Sequence, residues 1–407
     1  MFILPLFIYF SQIKPGTIPL YFSFLLVIWI FIRNFAANME NAVTKKPRLE
    51  WLDALRGFTM IMVVANHVAA MAFGEAMKHS TSLKFLVMFR MPLFFFVSGF
   101  LAYKASQVWD LKSLGSLLLK KLRVQTIPTV VFFLFGAAIL GGKFGPTVIK
   151  WFEEPFKGGY WFTIVLLYMF VVYYLFCFGE SRLLKRFPKI PSWLPITVLF
   201  FISLAFYDTY YQPKLFSWAL GYKGPKEGTM LYFMNCSSLG QLFLYFPFFL
   251  YGNIVHRYWQ QAQRIMDSQW FFPTIIFVVI YAWLDSQRWH WLRMTWAAIP
   301  LTFGRFTLLT IVFMYFRHYS QYFTKLSPIG ASLQYIGRRT LDIYLIHYLF
   351  MPNLPTIGTF FNQYHHNFAI DTTLSVLIAL LVIGFSIITS NILRISPFFK
   401  KWLFGRS

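Results

Sequence analysis

An arginine and a histidine eleven residues apart, Arg56 and His67 in RLEWLDALRGFTMIMVVANHVAAMAF, are the pair in this chain best suited to chemistry. Eleven residues are close to three α-helical turns, so both side chains leave one face, about 16 Å apart along the axis. Asp53 stands one turn below Arg56, where it can pair with it. Imidazole titrates near neutrality and suits the taking and returning of a proton, while a guanidinium suits the holding of an anion. An isolated histidine in such a run is as readily a hydrogen-bonded packing residue. The face shared with Arg56 favours chemistry at His67.

Other polar residues sit in apolar surroundings. Arg90, in KFLVMFRMPLFFFVSGFLAYK, is expected at about the depth of His67 in its own helix, so the two are expected to meet. Pro92, Ser98 and Gly99 follow it; they fit close helix packing or a break lining a cavity. Lys120, Lys121 and Arg123 precede Pro128 and read as topology determinants or as a phosphate site. Arg305, in LTFGRFTLLT, needs a partner inside the bundle. His347 is expected nearer the Arg56 level, with a packing role slightly favoured, and Trp161 equally fits interfacial anchoring. Asp342 has Arg338 one turn earlier as its obvious partner, and Glu153 and Glu154 read as solvated. Cys177 and Cys236 lack metal-ligand spacing, and the adjacent His365 and His366 lack a third ligand, so no metal is expected.

The elements that must position these groups follow from composition. With 58% hydrophobic and 13% charged residues, the chain is too apolar for a water-soluble globule, in which charged residues are about a quarter. Apolar runs predict about ten spans in an all-α polytopic transmembrane bundle, near 51–73, 84–104, 124–141, 160–179, 193–211, 238–255, 271–285, 297–316, 341–351 and 373–393. The net charge of +23 is spread through the short polar segments rather than gathered in a basic domain, which argues against nucleic acid as a partner. The positive-inside rule puts 39–50, 104–123, 180–192, 256–270, 317–340 and 394–407 in the cytoplasm, with both termini there. Residues 1–47 read as a leader or one further span, with Met39 as an alternative start. A membrane domain is expected over 48–395 and a short basic tail over 396–407.

In sequence the chain resembles the integral-membrane acyltransferase 3 family over roughly residues 48–395. The resemblance rests on WLDALRG followed by His67, MPLFFFVSGFL, the basic run ending in Pro128, YWFTIVLLYMF from Tyr160, FPFFLYGNIV from Phe246, and IGRRTLDIYLIHYLF containing His347. It implies a bundle of about ten helices whose first helix carries an Arg and a His, matched by Arg56 and His67, with the His catalytic. Many members have His where Arg90 stands, and a basic pair three residues apart where this chain has Lys121 and Arg123. The activity implied is acyl transfer, typically O-acetylation, from acetyl-CoA or another acyl-CoA to a hydroxyl of a surface polysaccharide or lipid-linked sugar. The expected setting is a bacterial inner membrane, with no bound cofactor. The competing expectation is a transporter or flippase of a lipid-linked sugar, since buried Arg and His also line substrate pathways.

Overall fold

The computed structural model describes residues 49–73, 81–211, 230–276, 298–363 and 367–404. The leader, most of the span expected at 271–285, and His365 and His366 lie outside them. Among the described residues the regular structure is helical throughout, without strands, as the apolar periodicity predicts.

The principal helices are α1 (Glu50–His67), α2 (Thr81–Ala102), α3 (Leu111–Lys121), α4 (Ile127–Leu140), α5 (Trp161–Arg186) and α6 (Leu194–Tyr211). They are followed by α7 (Leu239–Arg257), α8 (Ala298–His318), α9 (Pro328–Arg338), α10 (Thr340–Ile346), α11 (Phe368–Leu393) and α12 (Pro397–Phe404). Among the described residues, four stretches are long and apolar enough to cross a bilayer: Glu50–Ala72, Leu111–Leu140, Trp161–Arg186 and Phe368–Leu393. Shorter apolar helices cover Met88–Ala102, Leu194–Tyr207 and Thr340–Phe350. Exposed Leu377, Leu380, Leu381, Phe385, Ile388 and Ile392 on α11, with Val130, Val131, Leu134, Phe135 and Ile139 on α4, form surfaces that hydrocarbon satisfies and water does not. The protein is an integral membrane helical bundle.

α1 is the central element, packed against α2, α8, α9 and α11. Two glycine crossings set its surroundings. A Cβ on Gly57 would lie 1.9 Å from the Leu333 carbonyl oxygen, and one on Gly337 would lie 1.8 Å from that of Asp53, so α1 and α9 meet backbone to backbone. Gly99 and Gly252 do the same for α2 and α7, with a Cβ reaching 1.8 Å from the Phe249 oxygen and 1.9 Å from the Phe96 oxygen.

Two local expectations change. Helix α9 occupies part of the segment 317–340 read as a polar connection; its apolar residues are spaced for one face, so it forms no long apolar run. The span read as 124–141 begins at Leu111, because an Asp110–Ser113 capping box starts a helix that continues through a π turn at Leu122–Thr126. Lysines and arginine are good helix formers, so the basic run that interrupts the apolar pattern does not interrupt the helix. Of the two readings of Pro92 to Gly99, close helix packing is the one found: Pro92 lies inside an unbroken α2 and Gly99 meets α7.

Candidate active site

His67 is the last residue of α1, followed at once by a π turn over Val68–Ala72. Its Nε2 lies 3.3 Å from the Tyr348 hydroxyl, and its ring centroid lies 5.2 Å from that of Tyr348 and 5.3 Å from that of His347. Which atom donates in the Tyr348 contact depends on the tautomer, but the contact orients the imidazole in either form. The Arg90 guanidinium is close enough for its charge to act on His67, Tyr245 and Tyr348, so α2 does deliver it to the imidazole. Arg90 Nε is buried without a hydrogen-bond partner among the described residues, as are Asn66 Oδ1 beside His67 in the chain and His347 Nε2. Buried polar atoms are seldom left unmatched, and substrate atoms are one way to match them.

Two turns of backbone frame these residues. Met351 to Leu354 leave the 3-10 turn His347–Phe350, and the Leu354 amide donates to the Ala72 carbonyl at the end of the π turn. On the other side the Tyr344 hydroxyl donates to Gly159 O at 2.6 Å and accepts from the Phe162 amide at 3.1 Å, fastening the start of α5 to α10. Gly159 has φ +103°, and a Cβ there would lie 2.3 Å from the Tyr348 ring, so glycine lets the loop close over that tyrosine. Lys157 anchors the same loop by donating to the carbonyls of Phe152, Glu154 (2.8 Å) and Asn235 (2.9 Å). Burial pushes its ammonium down to about 8, which leaves it charged at neutral pH with three donors for three carbonyls. Trp161 is buried and stacks on Tyr245 at 5.5 Å, and Tyr245 stacks on Phe95 at 5.0 Å, a run of aromatic rings on the Arg90 side of the site.

Arg56 lies toward the other end of α1. It reaches Asp53 at 3.5 Å and donates to the Thr340 hydroxyl at 3.0 Å, so both ends of the Arg56–His67 stripe face α10 and its continuation. Lys121 Nζ sits 3.4 Å over the Phe170 ring centroid and feels the charges of Lys104, Lys120 and Arg56. A group of like charges this close favours a polyanion at its centre. Arg123 is exposed. Ser98 donates to Phe94 O of its own helix at 2.9 Å, and Arg305 is buried and donates to the Tyr207 hydroxyl at 3.5 Å.

Two placements differ from expectation. His347 meets His67 rather than Arg56, because Thr340 is already level with Arg56 and α10 climbs alongside α1 from there. Asp342 pairs with Arg394 at 2.7 Å and approaches Arg339 at 3.5 Å, while Arg338 donates to Gln334 O. Tyr348, Tyr344, Tyr245 and Lys104 are the site residues that sequence reasoning passed over. Tyr344 and Tyr348 flank His347 in IGRRTLDIYLIHYLF and Lys104 closes the α2 motif, so those three were visible there, while nothing marks Tyr245 among 23 tyrosines.

The family model described as an acyltransferase domain, Acyl_transf_3, matches residues 49–394. The chain belongs to the acyltransferase 3 family. No curated protein and no solved structure matches the chain. This acyltransferase therefore carries, within its family domain, an imidazole, a guanidinium whose Nε is unmatched among the described residues and a separate group of cations on a common frame.

Proposed function

We propose that the protein transfers an acetyl or related acyl group from acyl-CoA, entering from the cytoplasm of a bacterium with an inner-membrane location, to a hydroxyl of a surface polysaccharide or lipid-linked sugar. The observation that carries this reading is the pairing of two unlike sites on α1: the cations around Arg56 and Lys121 at one end, and His67 with Arg90 at the other. In this reading Arg56, Lys104, Lys120 and Lys121 hold the donor's phosphates by charge-assisted hydrogen bonds, with exposed Arg123 at the entrance. The uncharged pantetheine arm runs along α1 and presents the thioester to His67. Both termini lie on the cytoplasmic side, in keeping with the basic polar segments.

His67 takes the proton of the acceptor hydroxyl as its oxygen attacks the thioester carbonyl, and Arg90 stabilises the oxyanion that develops. Tyr348 orients the imidazole, and the Trp161–Tyr245–Phe95 stack excludes water from the reacting atoms. Thioester and alcohol become ester and thiol.

Membranes containing the protein and supplied with acetyl-CoA labelled in the acetyl group test this reading. Label is expected in glycan with the parent and absent with His67→Ala at equal abundance. Movement of intact lipid-linked sugar across the membrane, without covalent label, would identify a carrier instead.

A further inference from the structure

His347 is fully buried beside the proposed base and has no role in the reaction as described so far. Its Nδ1 lies 3.0 Å from Ile343 O and 2.8 Å from Tyr344 O. Carbonyl oxygens only accept, so Nδ1 carries the hydrogen of the neutral ring and Nε2 carries the lone pair. That Nε2 is buried and has no hydrogen-bond partner among the described residues. A histidine retained only for packing would use both nitrogens, or be replaced at no loss by an apolar residue. Here one nitrogen is spent on locking the tautomer that leaves the other as an unpartnered base, in a ring whose centroid is 5.3 Å from that of His67 and 4.0 Å from that of Tyr348.

We propose that His67 and His347 form a two-imidazole proton relay, in which His347 is a positioning residue that receives through its free Nε2 the proton His67 removes from the acceptor. The proposal rests on the acyl-transfer reading of His67. The acceptor O–H bond breaks as its oxygen forms a bond to the thioester carbonyl carbon, and the proton goes to His67 and, once the two rings close from their 5.3 Å centroid separation to hydrogen-bond distance, on to His347. When the C–S bond breaks, the proton returns by the same path to sulfur, so the products are an ester and a thiol and the relay is restored. The charged and titratable groups around the pair are Arg90 on α2, Tyr160 at the start of α5, Tyr344 on α10 and Tyr348 on the following turn; α11, which carries Asp371, packs against the turn holding His347 and the π turn after His67.

The test uses the full chain in membranes. In His347→Asn the side-chain amide can still donate to the Ile343 and Tyr344 carbonyls, but it offers no base. The expected result is a kcat lower by about tenfold to a hundredfold, with KM for acetyl-CoA within about twofold and one ionisation lost from the pH–rate profile. A parent-like kcat and profile in a correctly inserted His347→Asn would overturn the relay. A second measurement needs no variant: the parent's rate in mixtures of light and heavy water should give a curved proton inventory, and a straight line, indicating one proton in flight, would also overturn it. If His67→Ala keeps the parent rate, the reading of His67 itself fails. If His67→Ala is inactive and His347→Asn is normal, only the relay fails.

Discussion

Arg90 is the most expensive residue of the site: a guanidinium among Tyr245, Tyr348 and His67, with its Nε unmatched, in a membrane interior. In the proposed reaction an oxyanion forming at the thioester carbonyl oxygen would offset that cost only during the reaction, which is what differential stabilisation requires. Arg90→Met is therefore expected to lower kcat by about a hundredfold to a thousandfold while leaving KM for the donor nearly unchanged, measured by labelled transfer at saturating acceptor. Lys121→Ala belongs to the other site and is expected to act in the opposite way. Losing a hydrogen bond to a charged group costs about 1.5–3 kcal/mol, so KM for acyl-CoA should rise about tenfold to a hundredfold with kcat little changed. At this scale the sequence was readable where helical periodicity operates. Arg56 and His67 share a face as their spacing implies, but Asp342 found Arg394, 52 positions away, instead of the local Arg338 that an i, i−4 rule suggests. Local rules rank neighbours along one helix and say nothing about a side chain arriving from another.

Helices that cross within backbone contact hold the site's frame, and glycine is what allows them to. Gly57→Ala or Gly337→Ala places a methyl group under 2 Å from a carbonyl oxygen of the partner helix, so α1 and α9 must separate. Either change is expected to cost about 1–3 kcal/mol, or more where the backbones cannot yield, and to lower the melting temperature in detergent; Gly384→Ala, with no atom within 4 Å of its added Cβ, should leave it unchanged. Lys157→Met removes all three carbonyl contacts of the loop before α5. It should reduce transfer with unchanged protein abundance, because Gly159 would no longer be held against Tyr348. Long apolar helices such as α1, α5 and α11 were plain in the sequence, because a bilayer demands a continuous apolar length. Helix α9 was not: its apolar residues serve one face only, and its role is visible only once Gly337 is seen against Gly57. The short α10 and its 3-10 turn, by contrast, follow the apolar run read at 341–351, which ends before the prolines that come after them.

Over the whole molecule, buried ion pairs tie the end of the chain to the site. Asp342 on α10 is gripped by Arg394 just past α11, whose guanidinium lies 4.2 Å over the Phe404 ring of α12, and Phe404 in turn contacts Phe132 of α4. Asp342→Asn leaves Arg394 buried without its counter-charge and is expected to destabilise the fold by about 3–5 kcal/mol, seen as earlier thermal unfolding in detergent. The charge distribution gives the molecule its polarity along α1: cations clustered near Arg56, and a single guanidinium next to the imidazole pair near His67. A structure of the protein bound to an acetyl-CoA analogue whose thioester sulfur is separated from the carbonyl by a methylene, so that transfer cannot occur, tests this arrangement most directly. The account predicts phosphates among Arg56, Lys104, Lys120 and Lys121 and the acyl carbonyl beside His67 and Arg90. An analogue seated elsewhere, with its acyl carbonyl remote from His67, would contradict it.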